Sequence, residues 1–191
     1  IYLFSITTTM KKITFFWSLV LLTSLLSAKE IFIEPSDNSQ EEVQTALIEL
    51  SSGDILTLSP GTFVFEDGLS LDVDEVIVRG SGINETILDF KNQMSGAQGL
   101  LVTSDRVTLK DFAVTDAKGD AIKVIGAEGI NMINLKTEWT GGPKTTNGAY
   151  GLYPVESTDV LIDGCVAIGA SDAGIYVGQS ENIIVRNSRA E

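Results

Sequence analysis

From residue 99 onward the chain consists of short runs in which apolar and polar residues alternate, broken by Gly, Asn or Asp. Alternation with period two sends successive side chains to opposite faces and reads as strand; the 3.6-residue spacing of a helix is absent. Four segments align, 99–112, 121–135, 151–165 and 174–188. Within them the second run starts at Val107, Ile130, Val160 and Ile183, at spacings of 23, 30 and 23 residues, and Val76 opens a looser copy 31 residues before Val107. The period is therefore about 23 residues, with insertions of seven or eight.

The repeat predicts three strands per unit. The first position of the second strand is always apolar (Val76, Val107, Ile130, Val160, Ile183), and so is the third (Val78, Leu109, Met132, Ile162, Val185). Two positions on stands Gly80, Asp111, Asn134, Gly164 or Asn187, residue types that tolerate φ > 0. The chain bends there without hairpin reversal and enters a third strand at Phe112, Leu135, Cys165 and Ser188. A β-sandwich needs hairpin turns and no fixed period, so it fits worse. Stacked coils form a solenoid, with rungs about 4.8 Å apart and like residues piled into ladders.

A solenoid needs a cap over its exposed core. Ser39 and Glu42 have capping-box spacing, Val43, Ala46, Leu47 and Leu50 make one apolar helical face, and Gly53 stops the helix. Residues 54–63 then read as a strand, a Pro-Gly turn and a strand. At the other end, Glu191 falls within a third strand and no cap follows it, so further coils are expected beyond it.

Composition narrows the chemistry. Histidine is absent, which excludes Ser-His-Asp and Cys-His catalysis and His-ligated zinc. The one cysteine, Cys165, allows no intrachain disulfide and reads as a small core residue. Residues 1–28 contain Lys11, Lys12 and no acid, so the remaining 11 cations and 26 acids leave a charge of −15 on residues 29–191. Such a surface repels phosphate backbones and anionic lipid, which argues against a nucleic-acid or membrane partner, and it attracts cations such as Ca²⁺. Met10-Lys11-Lys12, the apolar run 13–26 and Ser27-Ala28 read as a signal peptide over residues 10–28, too short and too rich in Ser and Thr for a membrane anchor. The expected mature domain, 29–191, is secreted or periplasmic.

These repeats resemble the right-handed parallel β-helix proteins of the pectin-lyase-like superfamily over residues 30–191. The closest likeness is to secreted repeat proteins of uncharacterised function, carried by Ser171-Asp-Ala-Gly-Ile-Tyr-Val-Gly-Gln-Ser180 and Asn182-Ile-Ile-Val-Arg-Asn187. The resemblance implies an all-β right-handed parallel β-helix whose N-terminal helix plugs the first coil. It also implies a substrate groove along the first strand of each coil, here 99–103, 121–125, 151–155 and 174–178, and a polysaccharide or glycan partner. Some relatives serve in copper-enzyme maturation, which a chain with no His and three Met fits poorly.

By alternation Leu100, Ile122, Leu152 and Ile175 point inward, and Leu101, Lys123, Tyr153 and Tyr176 outward in one column. Tyrosines stack on sugar rings while hydrogen-bonding, and Lys neutralises a uronate carboxylate or, with a lowered pKa, takes the proton alpha to it. The insertion 137–150 reads as a loop wall carrying Trp139, Lys144 and Tyr150 as further substrate contacts. Asp116, Asp120, Glu138 and Asp172 lie near this face, with Asp116, Asp120 and Asp172 as candidate Ca²⁺ ligands. No Asp-Asp pair of the kind used by family hydrolases is present. The reading is an exported protein that binds or processes an acidic polysaccharide, as a uronic-acid lyase or epimerase if catalytic. The alternative is a non-catalytic scaffold that binds a glycan or a protein partner.

Overall fold

The computed structural model describes residues 28–191. The expected signal peptide, apart from Ala28, lies outside the described residues. The chain opens with β1 (Glu30–Ile33) and the helix α1 (Ser39–Glu49), followed by β2 (Ile55–Leu58), β3 (Gly61–Val64) and β4 (Leu69–Leu71). The next coils hold β5 (Ile77–Arg79), β6 (Thr86–Asp89) and β7 (Gln98–Val102), then β8 (Thr108–Thr115) and β9 (Asp120–Ile125). After them come β10 (Glu128–Glu138) and β11 (Tyr150–Val155), then β12 (Thr158–Asp163), β13 (Val166–Ile168), β14 (Ala173–Ile175), β15 (Glu181–Arg186) and β16 (Arg189–Ala190).

Among the described residues every pairing between these strands is parallel. The second strands stack in the order β1-β2-β5-β8-β10-β12-β15, and the first strands in the order β4-β7-β9-β11-β14. The register follows the sequence alignment residue for residue: Ile130 pairs with Val160 and Val160 with Ile183, while Met132 pairs with Leu109. The period extends two rungs further toward the N-terminus than the repeats suggest, since Ile55 pairs with Ile77 and Glu30 with Ile55. In the middle coils the second and third strands run together through the bend, giving the long strands β8 and β10.

The bend residues Asp111, Asn134, Gly164 and Asn187 do take positive φ. Gly80 does not; its α-carbon instead sits under the Asp111 carbonyl, where a Cβ would come within 2.4 Å. A second set of bends, at Glu75, Arg106, Gly129, Asp159 and Asn182, stands one residue before the apolar positions Val76, Val107, Ile130, Val160 and Ile183, also with positive φ. Glu and Arg carry no turn signature, so tertiary stacking imposes this bend against local preference.

The core is a set of ladders. Leu56, Val78, Leu109, Met132 and Ile162 stack down one wall, and Phe112, Leu135 and Cys165 down the next, all buried. Phe65 and Phe90 stack at 4.9 Å between ring centroids. Each fully buried side chain of this size contributes about 1.5–3 kcal/mol of transfer free energy. Helix α1 closes the first coil with Val43, Ala46, Leu47 and Leu50 turned to the core, as its spacing predicts. The capping box is not formed, because Ser39 already lies inside the first turn. The Ser36 hydroxyl ties the entering chain to the helix, accepting from the Asn38 N–H at 3.1 Å and donating to the Glu42 carboxylate at 2.8 Å. Among the described residues no helix is long and apolar enough to cross a membrane.

Candidate functional site

The sheet β4-β7-β9-β11-β14 sets one outward column. Ser70 pairs with Leu101, Leu101 with Lys123 and Lys123 with Tyr153, and the pairing of Leu152 with Ile175 brings Tyr176 beside Tyr153. The expected inward residues Leu100, Ile122 and Leu152 are fully buried, and Ile175 packs partly buried against the core.

Strict alternation fails near the start of β7, β9 and β11. A Cβ built on Gly99 would meet Val114 and Ala117, and one on Gly151 would meet the Thr137 Oγ1 and Ala167, so these positions also face the core. Ala121, in the same row, is buried. In these three strands two consecutive inward residues, the first of them small, therefore follow the opening residue. The residues just before them, Asp120 and Tyr150, are thereby returned to the outer face. Tyr150 thus belongs to the sheet, as the first residue of β11, and not to a loop wall.

Three tyrosines meet there. The rings of Tyr150 and Tyr176 stack, with centroids 4.7 Å apart and planes 20° from parallel. Tyr153 lies tilted against both, at 4.6 Å from Tyr150 and 5.4 Å from Tyr176. The Lys123 Nζ stands 5.0 Å from the centroid of the Tyr153 ring, within cation–π distance. Tyr150 donates its phenolic hydrogen to Asp172, and this bond, with some loss of solvent, holds the phenol above its ordinary pKa. Tyr153 is raised as well, first by burial and then by the negative field of Asp120. Both phenols stay neutral at neutral pH, so they act as hydrogen-bonding rings and not as bases. Asp120, half-buried, accepts the Tyr150 backbone N–H; burial raises its carboxyl pKa, and Lys123 opposes that rise.

The remaining expected contacts fall elsewhere. Trp139 does not stand beside the tyrosine column. It is buried, and its indole Nε1 donates to the Ala117 carbonyl at 2.7 Å, because the chain from β10 carries the ring under the coil before the loop begins. Lys144 lines a separate cleft with Asp116, and none of Lys123, Tyr150, Tyr153 or Tyr176 faces that cleft. The three candidate calcium ligands do not converge. Asp116 accepts the Thr140 N–H at 2.7 Å and its hydroxyl at 2.5 Å, Asp120 is held by Tyr150 and Asp172 by the Tyr150 hydroxyl. Ca²⁺ asks for about six to eight oxygens around one point. Among the described residues no group of three or more acidic or Cys side chains is placed to hold a metal. The residues present do not fit a resident calcium ion.

On the neighbouring wall Arg79, Lys110, Ile133, Asp163 and Arg186 form the expected mixed column, where Arg186 and Asn187 bond to Asp163 and lower its pKa. Cys165 is a buried free thiol that desolvation pushes above its ordinary pKa, consistent with a packing role.

Three solved structures share the architecture. An alginate lyase from Paenibacillus sp. str. FPU-7 superposes with a TM-score of 0.58 at 16% identity, over 85% of this chain and 66% of that one. A PL6 family alginate lyase, AlyGC, gives 0.59 at 16% identity over 86% of this chain and 24% of its own. A mannuronic acid specific family 6 polysaccharide lyase from human gut microbiota gives 0.54 at 13% identity over 85% and 49%. Likeness at such identities is a likeness of fold, and the chain spans only part of each of these proteins. No curated protein sequence matches the chain. A family model described as the right handed beta helix region matches residues 70–191, and with its parallel coils and two ladders of stacked strands the chain belongs to the right-handed β-helix family.

Proposed function

We propose that this protein is exported and holds an acidic polysaccharide along the outer face of the sheet β4-β7-β9-β11-β14. The observation that carries this reading is the stack of Tyr150, Tyr153 and Tyr176 with Lys123 over the Tyr153 ring. Neutral phenols on a rigid sheet offer flat apolar faces to sugar rings and hydroxyls to their polar edges. The ammonium supplies the countercharge to a uronate carboxylate. The lyases among its structural neighbours, two of them named for alginate, act on polymers of that kind.

In the enzymatic form of this reading the reaction is a β-elimination on a uronic-acid chain. A base removes the proton alpha to the carboxylate, the electron pair becomes the new carbon–carbon double bond, and the glycosidic carbon–oxygen bond at the β position breaks. The leaving oxygen takes up a proton. Lys123, in its neutral form, is the base, and the Tyr153 phenol is the donor within reach of the same sugar. An epimerase would instead return a proton to the opposite face of the same carbon. Incubation with a panel of polyuronates tests both, the lyase by the ultraviolet absorbance of its unsaturated product and the epimerase by the altered sugar configuration in NMR. Activity that survives Lys123→Ala removes Lys123 as base.

The second reading is a non-catalytic glycan-binding scaffold, favoured by the cation–π contact itself. The ring face holds the ammonium in place at the sheet surface, the placement a carboxylate counterion needs. Saturable binding without product on the same panel selects it.

A further inference from the structure

The loops that lead into the first strands carry a concentration of unpaired positive charge. Among the described residues every arginine is in an ion pair: Arg79 with Glu30, Arg106 with Asp74 and Glu75, Arg186 with Asp163 and Arg189 with Glu191. Lys136 pairs with Glu138. Six of the described lysines, Lys29, Lys110, Lys123, Lys91, Lys118 and Lys144, have no such partner, although acids outnumber bases 26 to 13 over the whole chain, and the last three share one surface. These three line one cleft, together with Asp116, Trp139 and Thr146.

Their backbone positions are fixed while their ammonium groups are not. The buried Gln93 side chain accepts the Lys118 N–H at 3.0 Å and donates to the carbonyls of Ser95 and Gln98. The Asn147 amide donates to the carbonyls of Gly142 and Gly169, which pins the loop carrying Lys144. Asp89 accepts the N–H of Lys91. Asp116, the one acid in the cleft, already accepts two hydrogen bonds from Thr140, so three cations face one carboxylate that is engaged elsewhere. The lysines come from three successive coils, in the segments that lead into β7, β9 and β11.

We infer that this cleft is a second anion-binding site for the same acidic glycan, in which Lys91, Lys118 and Lys144 hold successive carboxylates or sulfates of a chain running along the axis. The inference rests on the reading of the tyrosine face as a glycan surface. A repeating polyanion suits three cations in one cleft better than an isolated ion does, because each further anionic group adds a contact once the chain is held. Lys118 lies two residues before Asp120 and five before Lys123, so cleft and tyrosine face lie on the two sides of one turn.

The site has its own reporter. Trp139 is the one tryptophan among residues 28–191 and lines the cleft, whereas the tyrosines report on the sheet face through near-ultraviolet circular dichroism. The experiment titrates an alginate hexasaccharide into the protein, and into Lys91→Gln/Lys118→Gln/Lys144→Gln and Tyr153→Ala/Tyr176→Ala variants, with sodium sulfate in a separate arm at matched ionic strength. The hexasaccharide should shift Trp139 emission in the wild type. The triple variant should bind about tenfold more weakly, about two- to threefold per exposed contact, with a flatter salt dependence. The corresponding triple Lys→Arg variant should restore binding, which separates charge from loop damage. Triple-Gln binding within twofold of wild type, with the tyrosine variant impaired, overturns the cleft and leaves the tyrosine reading standing. An impaired triple variant with unimpaired tyrosine variant supports the cleft and overturns the tyrosine reading. Saturation of the Trp139 signal by sulfate alone at the affinity of the hexasaccharide overturns the glycan assignment.

Discussion

Gly148→Ala probes the closeness of the rungs directly beneath the tyrosines. A Cβ at position 148 would stand 1.7 Å from the Gly119 carbonyl oxygen, 2.4 Å from its carbon and 2.7 Å from Trp139 Cζ2. Gly119 stands in the same relation to the Ala97 carbonyl, also at 1.7 Å, so a column of small residues lets three rungs approach at this corner. Ordinary contact lies near ~3.5 Å, which leaves a deficit of about 1.8 Å against a rung spacing of about 4.8 Å. The obstacle is backbone on one side and a buried indole on the other, so neither rotates away. Opening the rung strains the bonds by which Gly148 accepts from the Ser171 N–H at 3.0 Å and hydroxyl at 3.3 Å. Overpacking at the upper end of its range plus one weakened hydrogen bond costs about 4 kcal/mol. That lowers Tm by about 8–16 °C for a chain of this size. Urea unfolding followed by far-ultraviolet circular dichroism measures the loss. The near-ultraviolet tyrosine signal should fall as well, because position 148 lies two residues before Tyr150. Gly126→Ala is the control: its Cβ meets nothing within 4 Å, so only the positive φ of 68° opposes it, at about 1 kcal/mol. A Gly148→Ala protein within about 0.5 kcal/mol of wild type, with its tyrosine signal intact, would refute the proposed close stacking.

Two further outcomes concern pH. Burial raises the pKa of Asp120 in the fold, so the native state holds that proton more tightly than the unfolded chain. Its cost to stability grows as pH rises from the ordinary carboxylate value through the raised one and is complete above it. Asp120→Asn, which keeps an acceptor for the Tyr150 N–H, should therefore be more stable than wild type at pH 7 and lose that advantage in acid; a lower midpoint in urea at pH 7 contradicts the assignment. Asp54 is the opposite case, its pKa lowered by the Lys29 and Ser51 N–H groups, at 2.7 and 2.9 Å. Its stabilisation is present above the ordinary value and lost as pH falls through the lowered one. Asp54→Ala should cost about 1–3 kcal/mol at pH 7 by stranding two donors, with the difference shrinking on acidification in the same urea assay.

The fold was legible because its repeat writes itself in residue type. Val107, Ile130, Val160 and Ile183 are apolar at one register, and Asp111, Asn134, Gly164 and Asn187 tolerate the bend that follows. The bend at Glu75, Arg106 and Asp159 was not legible, since the stacking of neighbouring coils dictates it and the side chains there point to solvent. The same limit governed the site. Lys123, Tyr153 and Tyr176 follow from alternation, and the register brings them together. Asp120 and Tyr150 escape that rule because Gly99, Ala121, Gly151 and Gly174 insert a second inward position. That recurring small residue was the available signal. Trp139 misleads for a related reason: it borders Gly141, Gly142 and Pro143, which do form the loop, while the indole itself completes the core.

The most direct test of the outer face as a polyuronate surface is tyrosine near-ultraviolet circular dichroism during titration with an alginate oligosaccharide, set beside a neutral oligosaccharide of equal length. Saturable change with the acidic chain, little with the neutral one, and loss of the response in Lys123→Ala is the result expected here. An unchanged tyrosine spectrum at saturating alginate, or an equal response to the neutral sugar, contradicts it.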